Sequence, residues 1–239
     1  MGTDIHSIAQ VKRDGQWVTV AIGIAGDQRN YNTFAMLADV RNGRGFAGCW
    51  TSTGFPVIHE QRGLPLDLVL ARPEDRDVHV DKTQLVAAWN WDGEDRPVDS
   101  PDASRVSSIT VEDSTMWLGD HSYSWCTLAE LRTFIENVAK KTETFIVGVV
   151  TREQYEEHQR TGKPYESWCG MVSGQGVYVV GRVGSSGPLP DHCTHVQTNW
   201  PVNAFKESCV GDIEKALTLV AERTGTQPED LRFVYGFDS

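Results

Sequence analysis

Residues 4–22 read DIHSIAQVKRDGQWVTVAI, and how this stretch folds decides the architecture around it. Apolar and polar residues alternate well enough from Asp4 to Val11 for a strand, and Gln16 to Ile22 supply a second one. Asp14 and Gly15 between them are residues that accept the left-handed conformations of a tight turn, so the expected unit is an antiparallel hairpin. Its first strand presents Asp4, His6 and Ile8 on one face, with Ile5, Ala9 and Val11 near the other.

Outward from the hairpin, Tyr31, Phe34, Leu37 and Ala38 follow the helical period between Tyr31 and Val40, with Asn30 as the cap and Asn42-Gly43 as the stop. The glycine-rich GRGFAGCWTSTGFP that follows reads as a loop. From Arg62 to Asp120 the pattern is irregular, with a short helix expected near Thr83 to Trp89. Thr127 and Glu130 form a capping box ahead of Leu128, Leu131, Phe134, Ile135 and Val138, which predicts a helix. A strand over 144–150, a helix from Thr151 to about Arg160 with a second box in Thr151 and Gln154, and a strand over 176–182 come next. A strand from His192 to Trp200, a long helix over Phe205 to Val220 closed by Gly225, and a strand over 231–238 complete the series. Strands and helices do not alternate regularly, so the expected class is α+β: a mixed, mainly antiparallel sheet with flanking helices. A long irregular central segment, about residues 43–120, lies within one domain spanning 1–239.

Composition narrows the function classes. With 39% hydrophobic and 23% charged residues in 239, the chain has the balance of a globular protein. No window approaches the run of about 18 apolar residues that a membrane helix needs. The start MGTDIHSIAQVKRDG has neither the basic nor the apolar region of a signal peptide, so a cytoplasmic location is expected. Five widely spaced cysteines without a CxxC pair predict free, mostly buried thiols. Lys+Arg 22 against Asp+Glu 33 leaves a net charge of −11, which disfavours nucleic acid and anionic membranes as partners. Much of the acid falls between Asp92 and Asp120, a solvated loop or, in a sharper reading, the contact of an acidic inhibitor of another protein.

The stretch WLGDHSYSWCTLAEL, residues 117–131, gathers polar groups in front of a capped helix. Asp120, His121, Ser122, Tyr123 and Ser124 are placed to line a site where the positive helix end favours an anion. The plainer alternative is that Ser124 and Thr127 satisfy local N–H groups while Trp125 packs as a staple. Asp4 and His6 share a strand face and could act as carboxylate and imidazole base, or as two ligands of a divalent metal joined by His121 and Asp238. His195 and Asp238 are expected to join the same sheet. Arg29, Arg41, Arg44 and Arg62 could grip a phosphate or carboxylate. Trp50, Phe55, Trp89, Trp91 and Trp125 could stack on a base, although core burial is the commoner fate of such residues. Walker, GxSxG, HExxH and dinucleotide-fingerprint motifs are absent from the sequence.

GTDIHSIAQV at 2–11, RNYNTFAMLADVRNGRGFAG at 29–48, RGLPLD at 62–67, DHSYSWCTLAEL at 120–131, THVQTNW at 194–200 and DLRFVYGFDS at 230–239 resemble, in that order, a widespread group of bacteriophage-encoded proteins of unassigned function. The matching polar positions are Asp4, His6, Arg29, Asn30, Tyr31, Asp39, Arg41, Asn42, Arg62, Asp67, His121, Ser122, Ser124, Trp125, His195 and Asp238. Thr3 stands where the group commonly has Cys, and Ser239 where it has Asn. The resemblance implies a host-cell cytoplasm and a part in countering host defence.

These residues lead to an expected enzyme acting on a phosphorylated or nucleotide-like small molecule, in its most specific form a phosphodiesterase that degrades a signalling nucleotide. His6 and His121 would serve as general base and acid, flanked by Asp4 and Asp238. Arg29, Tyr31, Arg41, Arg62, Ser122, Ser124, Trp125 and His195 would bind the anionic ligand. In a variant, a divalent metal held by Asp4, His6, His121 or Asp238 activates water. The alternatives are a nucleotide-binding sponge without turnover and an acidic protein-binding inhibitor.

Overall fold

The computed structural model describes residues 3–25, 30–42, 51–74, 76–89, 115–165, 176–179 and 188–238. Among them, the hairpin is the nucleus of the main sheet. Strands β1 (Ile5–Arg13) and β2 (Gln16–Ile22) pair antiparallel, joined by Asp14 at φ 50° and Gly15 at φ 82°. Two successive positive φ values match the right-handed twist of the strands they join.

The other edge of β1 pairs with β12 (Leu231–Phe237), in register from Ile5 opposite Phe237 to Val11 opposite Leu231. Every residue of β12 is buried, as its almost continuous apolar run requires of a central strand. Beyond β12 lies β8 (His121–Thr127), and beyond β2 the short β6 (Ala87–Ala88), giving the order β6-β2-β1-β12-β8. The class is α+β, with mixed and mostly antiparallel sheets.

Alternation along these strands sorts their side chains onto two faces. Ala9, Val11, Phe233, Tyr235 and Phe237 pack beneath helices α1 (Tyr31–Ala38), α2 (Leu128–Asn137) and α4 (Val210–Thr224). The Tyr235 hydroxyl donates to the Leu37 carbonyl at 2.7 Å, tying α1 to the central strand. Ile8, Ile22 and Val234 face the opposite way, onto Val78, Val80, Leu85 and Leu118. This second layer includes a small sheet of β4 (Leu70–Arg72), β5 (Asp77–His79) and β7 (Thr115–Trp117).

A third sheet joins β3 (Thr51–Thr53), β9 (Glu143–Thr151), β11 (His195–Asn203) and β10 (Val177–Val179). Helix α3 (Arg152–Thr161) follows β9 through the Thr151–Gln154 capping box. Pro201 sits in β11 where the described part of β10, which reaches only His195–Gln197, no longer runs alongside, so its missing N–H leaves no donor gap toward β10. No described helix is long and apolar enough to cross a membrane.

Several elements differ from the sequence expectation. Lys82–Gln84 is a single 3-10 turn capped by Asp81 in place of a helix over 83–89, because Val86 N–H bonds to Val20 O and draws Ala87–Ala88 into the sheet. The first helix stops at Asp39 in a left-handed conformation, φ 57°. Asn42 instead splints the chain, its side chain bonding both the N–H and the carbonyl of Phe55 at 2.6 and 2.8 Å. The long helix begins at Val210, because residues 204–207 form turns beforehand. Cys126 and Cys193 are buried free thiols and Cys209 is half-buried; Cys49 and Cys169 lie outside the described residues.

Candidate functional site

The candidate site is the end of the main sheet where β12 finishes. Asp238, the next residue, lies across from Asp4: its N–H donates to the Asp4 carbonyl at 3.2 Å, and the Asp4 N–H donates to Asp238 Oδ1 at 2.8 Å. The second oxygen, Oδ2, lies 3.2 Å from His6 Nε2. An ionised carboxylate can only accept, so in this contact the imidazole Nε2 is the donor. The pair is partly sheltered, with 13% of the His6 side chain and 26% of Asp238 exposed. The Trp117 ring stands 4.8 Å from the imidazole at 53°, and Trp117 is 40% exposed. Opposite His6 in the register is Gly236, where any Cβ would collide with the Leu118 carbonyl and the Tyr123 ring.

The other flank is built by β8. His121 lies opposite Phe237 with the rings stacked at 6.3 Å. Its Nδ1 is 2.9 Å from Ser122 Oγ, and its Nε2 is 3.8 Å from Asp120 Oδ1. One extra residue is accommodated here, and Ser122 adopts φ 53°, a conformation a non-glycine residue rarely takes outside constrained places. His6 shares a sheet face with Gly236 and Val234, whereas His121 pairs with Phe237, so the two imidazoles approach the strand end from opposite faces.

Tyr31 and Arg41 reach the same end. The Tyr31 hydroxyl accepts from Thr3 N–H at 3.4 Å, and Tyr31, Phe34 and Phe237 form an edge-to-face series at 5.4 and 5.1 Å. The Arg41 guanidinium lies 4.9 Å above the Tyr31 ring, and Arg41 is a second non-glycine residue here with positive φ, 56°. Sequence segments around residues 4, 31, 41, 121 and 238 are thus brought to one sheet end.

Other candidates are placed elsewhere. His121–Thr127 is a strand rather than an open helix entrance, and Ser124 is fully buried, accepting from Arg62 N–H at 3.2 Å. Arg62 lies 4.8 Å over Trp125 and forks onto Glu130 with bonds of 3.0 and 2.8 Å. Glu130 also closes the capping box by accepting from Thr127 N–H at 2.8 Å. Burial pushes the Glu130 pKa up, but the Arg62 hydrogen bond, the Thr127 N–H and the Arg62 charge together hold it below the ordinary glutamate range. The positive end of α2 is already neutralised by this carboxylate, so the expected anion site at the helix entrance is corrected to a structural brace. His195 stands in β11, in a different sheet, with Nδ1 3.0 Å from Thr194 Oγ1. Arg29, Arg44, Trp50 and Trp91 lie outside the described residues; Phe55 and Trp89 are buried in the core.

Among the described residues no three His, Cys, Asp or Glu side chains come together as a ligand set, and Asp238 directs one oxygen to a backbone N–H and the other to His6. Trp117 is the residue of this site that sequence reading missed as a contact group, because its partner His6 is 111 positions away and no local period marks it. A separate cleft of about 560 Å³ lies between α2 and α4. Its walls carry mutually paired charges, Arg132 with Glu214 and Lys215 with Asp212, each at 2.8 Å, and none of the sequence candidates. Comparison of the chain with family models, with curated proteins and with solved structures found no match.

Proposed function

We propose that this protein is an enzyme acting on a phosphorylated or nucleotide-like small molecule, most specifically a phosphodiesterase, with the His6–Asp238 pair as its proton-transfer centre. The observation that carries the reading is the 3.2 Å contact between groups 232 residues apart, both open to solvent in part. Asp238 holds the imidazole with Nδ1 basic and stabilises the imidazolium formed when that nitrogen takes a proton. His121, near Asp120 and Ser122, is the second imidazole and would return a proton to the leaving group. Arg41, stacked on Tyr31, supplies fixed positive charge at the same sheet end. Together with the resemblance to phage proteins, this chemistry makes a host signalling nucleotide the natural substrate.

One observation favours a second reading, sequestration without turnover: the two imidazoles lie toward opposite faces of the sheet. Incubating the purified chain with linear and cyclic nucleotides, then separating bound, intact and cleaved species, distinguishes the two. Cleavage that disappears in the double variant His6→Ala, His121→Ala is the expected result. Ligand recovered intact from the wild type points to a sponge, and full turnover in the double variant removes these histidines from the chemistry. The acidic segment of an inhibitor reading, Asp92 to Asp120, lies mostly outside the described residues.

A further inference from the structure

The turn that leads into His121 is fastened to the end of β12. The Asp120 N–H donates to the Phe237 carbonyl at 2.8 Å. Gly119, buried and at φ 86°, lies so close to the same carbonyl that a Cβ there would collide with it. A further tie comes from Tyr123, whose hydroxyl donates to the Gly119 carbonyl at 2.7 Å. Burial raises the Tyr123 pKa, and the nearby Arg76 only partly offsets this, so the hydroxyl keeps its proton at neutral pH and remains a donor. The Tyr123 ring reaches across to β12, where a Cβ on Gly236 would strike it. Because Gly236 is opposite His6, the ring fills the space that this glycine leaves open on the His6 face of the sheet.

Between the pairs Tyr235–Ser124 and Phe237–His121, β12 has one residue, Gly236, and β8 has two, Ser122 and Tyr123. Strict alternation from Tyr123 would turn His121 toward the His6 face; the extra residue, with Ser122 at φ 53°, turns it to the Phe237 face instead. A non-glycine residue keeps that conformation only where its surroundings impose it. We infer that Tyr123 is a positioning residue: its hydroxyl, through the Gly119 carbonyl, holds residues 119–122 in the bulged register and so fixes where the His121 imidazole stands. The consequence for rate rests on the proposed proton transfer by His121, whereas the placement of the ring is observable without turnover. The leverage is geometric, since a misplacement of about 1 Å can cost about a hundredfold in rate.

Tyr123→Phe keeps the ring over Gly236 and removes only the hydroxyl. Proton–nitrogen correlation NMR of the full chain, labelled at histidine and assigned with His6→Gln and His121→Gln, reports each imidazole separately. In Tyr123→Phe the His121 resonances should shift or broaden as that ring leaves its stacked place 6.3 Å from Phe237, while those of His6 stay at their wild-type positions. Glu130→Gln serves as the control, because it loosens the brace at the other end of β8 and should leave the His121 resonances unmoved. With bis(p-nitrophenyl) phosphate as substrate, kcat of Tyr123→Phe should fall about ten- to a hundredfold while KM stays within about twofold of the wild type. Unmoved His121 resonances in Tyr123→Phe, equal movement of the His6 resonances, movement of the same size in Glu130→Gln, or a wild-type kcat in Tyr123→Phe overturns the inference. A wild type that cleaves no phosphodiester defeats the catalytic reading alone, and the His121 resonances then decide whether Tyr123 places the ring.

Discussion

Asp238 serves two partners with one carboxylate, and the two can be separated by substitution. Asn retains an oxygen able to accept from Asp4 N–H but loses the negative charge beside His6, whereas Ala loses both. Asp238→Asn is therefore expected to fold with near wild-type melting temperature and to be slow on whichever nucleotide the wild type cleaves; Asp238→Ala should lose stability as well. For His6→Ala the fall in kcat should be about a hundredfold to ten-thousandfold, the range of a general acid or base. Unchanged kcat in both His6→Ala and Asp238→Asn would contradict the assignment. Glu130 supplies a pH prediction. Its folded pKa is lowered despite burial, so its stabilising effect is present above the unfolded value, in the ordinary glutamate range, and is lost as pH falls through the lower folded value. Glu130→Gln should accordingly lower the melting temperature at neutral pH and make little difference in acid below that range, as thermal unfolding monitored by circular dichroism would show. A loss of equal size at both pH values would mean that packing, not charge, is what Glu130 contributes.

At the scale of elements, Gly236 in β12 leaves no room for a side chain. A Cβ there would meet the Leu118 carbonyl and the Tyr123 ring so closely that Gly236→Ala should cost about 1–3 kcal/mol in urea unfolding, the range of overpacking, because backbone as well as a ring must yield. An undisturbed midpoint would show that the 118–123 segment can shift freely. Elements with a complete local signal were legible in the sequence. The hairpin turn, both capping boxes, the Asn30 cap and the Gly225 stop all occur where their residues indicate. Short strands were not legible: Ala87–Ala88 and Leu70–Arg72 are too brief to show a period, and each is a strand only because a neighbour provides its hydrogen bonds. The polar run His121–Thr127 was misread as an open helix entrance for the same reason, since its pairing with β12 comes from residues more than 100 positions away.

Across the whole molecule, Arg232 ties the central strand to distant parts of the chain. Its guanidinium is buried, 4.3 Å from the Trp17 ring, with Nε donating to Gln10 Oε1 at 2.8 Å and Nη1 to Asp67 Oδ1 at 2.7 Å. Burial lowers its pKa, and the Asp67 bond and charge work against that. Asp67 is 60% exposed, so the pair is only half enclosed. Asp67→Ala should cost about 1–3 kcal/mol, less than the roughly 3–5 kcal/mol of breaking a fully buried pair. The double variant Asp67→Ala, Arg232→Met should recover part of the loss, because the uncompensated buried charge is gone; a double variant less stable than Asp67→Ala would refute this account. Sequence alone settled what depends on neighbours within a few positions: strand and helix periods, caps, turns, the α+β class and the polar character of the candidate segments. Tertiary structure alone decided which of those segments meet. Asp238 reaches His6, Trp117 covers it, and His195 stays in another sheet because strand register and sheet order, set by burial of apolar faces drawn from the whole chain, are not encoded in any local run of residues.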